Sequence, residues 1–453
     1  MTRYNVTIDE GILTYMPGYK LADIDLSFIT AGIATDKGIF ADKDTLNVVY
    51  LGGSITVGSG VSNYDDCWRV KVGKYLTEKY SDKTVNNYNA GAGGTGSKIG
   101  YLRLAQDVIS KDPDIVFVEF AVNDKGYGDM TNVKKNMESI VRRLYKDCDE
   151  PPVVIYVYTA TKNFLSGVEN SIAAHSEVAE YYDIPEINLN AYMERYMAEN
   201  PDTVWLSDGV HPNTTGYQLY TDYIVERLDK ATEYYLKPFT WKNETLVENV
   251  NDFSTYYEVA TNSTYSDGWT ASGTTLSTST AGNTVTYNFS GKLFALKHSI
   301  SKTNGALEIS IDGETETLDT YYAYTDGMSI IWYIRDDLEN TNHTVTITSK
   351  ETGNGSNVKL YNFIVSGDTT TVDFTGNTAT VTVLNNKVES LPYKNIFATY
   401  TGSALNNVET NEGTLSKGKC ETYTYDFTDD EKVKVFTWES FTNMKPLNKV
   451  IEK

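Results

Sequence analysis

Four short clusters in the first half of the chain carry residue types that can act together on an acyl group. Ser54 lies in Gly52-Gly53-Ser54-Ile55-Thr56, a glycine-flanked turn that would expose a hydroxyl and turn its own N–H toward a developing oxyanion. Asp208 and His211, three residues apart, can hold an imidazole in one tautomer, as the base of a serine nucleophile requires. Gly94, in the run Asn89–Ser97, can present a backbone N–H with no side chain in the way, and Asn123 can add a carboxamide donor. One such oxyanion donor is worth roughly 2.7–4 kcal/mol in a transition state. Chain positions alone leave bland readings open: a turn serine, a helix-capping Asn123-Asp124 pair, and a solvated turn ahead of Pro212.

The elements that must position these residues follow from the hydrophobic pattern. Buried strands are expected at 46–51, 85–89, 115–120 and 153–158, with a short one near 187–189. Helical periodicity falls between them, at 68–80, 131–147, 170–182 and 214–236. Strands alternating with helices predict a parallel sheet in a three-layer α/β/α sandwich, and each cluster then falls at the carboxyl end of a strand or just before the last helix. The α/β domain is expected to span 1–238.

After Pro238, Thr, Ser, Asn, Gly and Tyr dominate and helical patterns disappear. Alternating runs at 284–289, 307–311, 330–334 and 344–348 predict one β-sandwich over 239–367. Further strands at 371–374, 378–383 and 433–438 predict a small immunoglobulin-like sandwich over 368–453. Trp269, Tyr321, Tyr322, Tyr324, Trp332 and Tyr333 could form a sugar-stacking platform, with Trp332, Tyr333 and Trp269 the strongest candidates. Aromatics in strands more often serve as core.

The 453 residues carry 61 acidic and 39 basic side chains, a net charge of −22, which argues against nucleic acid or anionic membranes as partners. The three cysteines are scattered and no metal motif is present. The first thirty residues lack the basic and apolar segments of a signal peptide. A rival reading uses Gly91–Gly96 as a G-x-G-x-x-G dinucleotide loop with Glu119 on the ribose. It leaves Ser54, Asn123, Asp208 and His211 without roles.

The four clusters, in this order, resemble the blocks of the SGNH (GDSL-like) hydrolase family, anchored on Ser54, Gly94, Asn123 and His211 with Asp208 ahead of the histidine. The resemblance covers about 45–236, and NAGAGGTGS and PDIVFVEFAVND look like a subgroup common among bacterial polysaccharide deacetylases. Gly53 stands where the family often has Asp, and Ala121 where it often has Gly. GALEISIDG with HTVTI looks like the jelly-roll modules attached to some carbohydrate esterases, and KVFTWESFTNMKPL is similar to C-terminal β domains of polysaccharide-degrading enzymes from anaerobic bacteria. The resemblance implies a flavodoxin-like catalytic domain, an acyl-enzyme on Ser54, no cofactor, and acetylated polysaccharide or oligosaccharide (xylan or mannan, for example) as substrate. A lipolytic or thioester hydrolase, and a non-catalytic carbohydrate-binding surface protein, are the alternatives. A secreted or cell-surface enzyme with its signal removed is expected, with a cytoplasmic deacetylase as the other option.

Overall fold

The computed structural model describes residues 39–453 except 127, 164, 248–249, 251–252, 324–326, 368–369, 386–389, 417–418, 440–446 and 448–449. The expectations for the first thirty residues and for Tyr324 lie outside the described residues. The chain divides into two compact units, Met1–Val250 and Asn251–Lys453.

The first unit is built on five strands: β1 (Thr45–Gly52), β2 (Thr84–Gly91), β3 (Ile115–Glu119), β4 (Val153–Tyr158) and β5 (Glu186–Asn188). They pair in the order β2-β1-β3-β4-β5, all parallel. This is the flavodoxin-like doubly wound arrangement, with its switch point between β1 and β3. Right-handed crossovers to β2 and, in the other direction, to β3, β4 and β5 place their helices on opposite faces. Helix Trp68–Lys79 accordingly packs with Thr214–Lys230, and Met130–Asp147 packs with Ser97–Leu102 and Leu165–Tyr182. β3 and β4 are buried along their whole length, whereas β2 at the edge alternates with solvent. Tyr50 stacks on Phe117 with ring centroids 5.1 Å apart, and Trp68 packs edge-on against both.

Two expectations about this unit change. The helix predicted over 214–236 breaks at Ala231 into Thr214–Lys230 and Thr232–Tyr235. The unit also runs to Val250 and does not stop near Pro238, because residues 241–247 strap across helix Met130–Asp147. Buried Glu138 accepts the N–H groups of Leu246 (2.7 Å) and Val247 (2.9 Å). Arg142 donates to the carbonyls of Lys242 and Glu244 and covers the Trp241 ring, which stacks on Tyr145. Long-range partners hold this strap.

In the second unit, strands 253–367 form a five-stranded and a six-stranded antiparallel sheet that enclose one core. Strands 370–452 form a three-stranded and a four-stranded sheet around another, the seven-strand count of an immunoglobulin-like sandwich. Leu384 of the second pair of sheets belongs to the core of the first, so the two sandwiches cohere as one unit.

The strand Met328–Arg335 corrects the aromatic platform. Its side chains alternate, so Trp332 points outward at 42% exposure while Tyr333 turns into the core at 6%. Trp269, at 5%, is also core. Neither Tyr333 nor Trp269 has a face open to a sugar. Trp332 stands edge-to-face with exposed Tyr322, centroids 5.8 Å apart.

Among the described residues no helix is long and apolar enough to cross a membrane.

Candidate active site

Ser54 begins a single helical turn, Ser54–Val57, at the carboxyl end of β1. A first helical residue has no intrahelical acceptor for its N–H, which leaves the Ser54 N–H available. Gly58 closes the turn in the left-handed region (φ 102°), donating to the carbonyls of Ser54 and Ile55. His211 arrives from the loop before helix Thr214–Lys230, and its Nε2 lies 2.8 Å from Ser54 Oγ. Asp208 Oδ2 lies 2.7 Å from His211 Nδ1. The hydroxyl, imidazole and carboxylate are therefore in line, in the geometry of a nucleophile, a base and its orienting group.

The His211 loop organises itself locally. Asp208 Oδ1 accepts the N–H groups of both Val210 and His211 at 2.7 Å, and the Ser207 N–H donates back to the His211 carbonyl. Asn213 then caps the following helix through Gly216 N–H. Partial burial alone pushes the Asp208 carboxyl up, but the hydrogen bonds from the His211 ring and the two N–H groups outweigh it and hold it at about 2. The other three histidines, His175, His298 and His343, are buried, so His211 is the one with partial solvent access, at 27%.

Two loops face Ser54. An atom added at Gly93 would lie 4.0 Å from Ser54 Cβ, so the glycine run after β2 passes beside the nucleophile. Gly94 adopts φ 71°, a conformation glycine tolerates, and nothing stands within 4 Å of where its side chain would be. Asn123 lies in the short turn Ala121–Asp124 after β3, and its Oδ1 would be 2.3 Å from a Cβ at residue 53. Glycine at 53 thus leaves room for the close approach of Asn123, whose carboxamide would have to shift if a side chain stood there. The structure brings Ser54, Asp208, His211, the Gly94 loop and Asn123 together. Trp332 belongs to the other unit.

Sequence reasoning missed the supporting groups. Asp124 Oδ1 accepts Ser97 N–H at 2.8 Å and its Oδ2 meets His175 Nε2 at 2.8 Å, which ties the Asn123 turn to the end of the glycine loop. Arg103 Nη2 donates to the Gly52 carbonyl (3.0 Å), Arg69 Nε to Thr56 (2.9 Å), and the Tyr217 hydroxyl lies 3.1 Å from the Ile55 carbonyl. Glu119, the supposed ribose ligand, is fully buried beneath Ser54's turn, where no ribose could reach it. Burial pushes its carboxyl up to about 7, with Asp124 adding to the effect and hydrogen bonds from Thr56, Thr159 and Gly53 opposing it. A charged residue inside an apolar strand, IVFVE, was the available signal, since such a group must find partners.

Residues 50–219 match the GDSL-like Lipase/Acylhydrolase family. No curated protein matches the chain. Two solved structures of a two-domain esterase active on acetylated mannans, one co-crystallised with mannopentaose, share its fold. Each is 24% identical over 71% of this chain and 91% of that one, with TM-scores of 0.62 and 0.61. The aligned share is more of the chain than the first unit holds.

Proposed function

We propose that the chain, a member of the GDSL-like lipase/acylhydrolase family through residues 50–219, is a serine esterase that removes O-acetyl groups from a polysaccharide or its oligosaccharides. The Ser54–His211–Asp208 line, 2.8 and 2.7 Å between successive polar atoms, carries the reading. Ser54 Oγ attacks the ester carbonyl as His211 Nε2 takes its proton. Asp208 keeps the imidazole in the tautomer with hydrogen on Nδ1 and stabilises the imidazolium that forms. The Ser54 and Gly94 N–H groups and the Asn123 carboxamide receive the oxyanion. His211 returns its proton to the departing sugar hydroxyl, then activates a water that releases acetate from Ser54. The chain's own side chains supply every proton transfer.

The neighbouring esterase's substrate, acetylated mannan, is the one to try first, followed by acetylated xylan. Trp332, exposed on the second unit, is the one remaining candidate of the three for stacking on a sugar ring. The test measures acid release from a chain-length series of nitrophenyl esters and from both polymers, with Ser54→Ala as control. Acetate-selective turnover that Ser54→Ala abolishes supports the reading. Preference for long acyl chains would replace it with a lipolytic enzyme, and absence of ester turnover would leave a binding protein.

A further inference from the structure

We propose that Glu119 is a positioning residue for the nucleophile, its carboxylate fastening both flanks of Ser54 to the end of β4. The proposal rests on the reading of Ser54 as nucleophile. Glu119 is the last residue of β3 and has no exposed surface. Its Oε2 accepts the Thr56 hydroxyl at 2.9 Å and the Gly53 N–H at 3.4 Å; its Oε1 accepts the Thr159 hydroxyl at 2.9 Å. Gly53 precedes Ser54 and Thr56 follows it by two residues, so one oxygen holds the turn on either side of the reactive hydroxyl. Thr159, immediately after β4, holds the same carboxylate from the neighbouring strand. The turn therefore cannot rotate or lift without breaking a bond to Glu119.

The remaining grips on this turn all take carbonyl oxygens: Arg103 at Gly52, Tyr217 at Ile55, and Arg69 at Thr56. Glu119 supplies the acceptor for donors that those groups cannot satisfy. No cation pairs with it among the described residues. A fully buried carboxyl without a cation is costly, and its position is explained by what it holds in place. A displacement of about 1 Å at a nucleophile can cost around 10²-fold in rate. That makes a rigid anchor at this point worth an unfavourable burial.

The test uses the full chain and p-nitrophenyl acetate, with a fluorophosphonate to label Ser54 directly. Glu119→Gln should lower kcat 10- to 100-fold with KM within twofold, and slow labelling by the same factor in a variant that still melts cooperatively. Thr56→Val should lower kcat about tenfold, and Thr56→Ser, which keeps the hydroxyl, should restore it to within threefold. That pair decides the matter if Glu119→Gln fails to fold, because a purely structural role would not track the hydroxyl in kcat. Wild-type kcat in folded Glu119→Gln, or equal kcat in the two Thr56 variants, would overturn the proposal. Turnover surviving in Ser54→Ala would instead overturn the nucleophile reading itself, and this one with it.

Discussion

Ser54 sits on a turn gripped by buried or half-buried groups at nearly every backbone position, whereas His211 and Asp208 ride a loop with side chains 27% and 54% exposed. The serine turn's partners come from β3, from two helices and from the Arg103 turn between two short ones, at sequence separations of up to 162 residues. Apart from the Lys162 N–H on the Gly209 carbonyl, the bonds that shape the His211 loop lie within four residues, in a turn closed by Asp208 on the N–H groups of Val210 and His211. One partner is fixed by the whole domain and the other mainly by its own loop. In the proposed mechanism the nucleophile must meet an oxyanion site assembled from three separate strand ends, so its place has to be set globally. A base needs only to reach the hydroxyl with the correct nitrogen, and a local turn suffices for that.

The comparison can be broken at several points, and Ser54→Ala should have the largest effect. It should lower kcat by about 10⁵–10⁶-fold with Tm essentially unchanged, as steady-state kinetics and calorimetry would check. Next come two changes at the rigid side. Asn123→Ala and Gly53→Ala should each lower kcat by about 10²–10³-fold. The first removes a donor, and the second puts a Cβ 2.3 Å from Asn123 Oδ1. Both act through the same side chain, so the double variant should fall well short of the product of the two losses. An additive double variant would mean that Gly53 matters for another reason.

Asp208→Asn tests the exposed side. A buried triad aspartate is worth about 10⁴-fold; here water can partly replace the carboxylate, and a loss nearer 10²-fold is expected. Because Asp208 stays ionised down to about pH 2, the acid limb of kcat/KM above pH 4 should not report its protonation. A limb that vanished in Asp208→Asn while turnover persisted would contradict this.

The smallest effect is on stability. Glu119 titrates at about 7 in the fold against an ordinary carboxylate value of 4.5, so the folded state binds the extra proton between those values. The stability of the first unit should therefore fall as pH rises from about 4.5 to 7, and Glu119→Gln should flatten that slope in Tm. Asp208 acts with the opposite sign and in another window, its contribution being lost only as pH drops from about 3.8 toward 2.

What could be read from the sequence follows the same division. The α/β order, the strand ends and the Asp208–His211 spacing are local patterns, and each lies where periodicity and spacing put it. The supports of Ser54 are contacts between distant segments, such as Arg103 with Gly52 or Glu119 with Thr159, and no local pattern encodes them. In the second unit the strand Ala404–Leu415 escaped notice because most of it is exposed on both faces and shows no alternation. Tyr333 and Trp332 are adjacent and equally aromatic; only the phase of the strand decides which one sees solvent.

The strap after Pro238 bears on where the chain can be cut. Glu138 and Arg142 are buried, and the backbone of 242–247 supplies much of their hydrogen bonding. A truncation at residue 238 would strip those partners from the helix between β3 and β4, at roughly 1–3 kcal/mol for each orphaned group. The first unit expressed alone should then be poorly soluble when ended at Pro238, and well behaved when ended after Val250. A boundary drawn where composition changes would remove part of the domain's own wall.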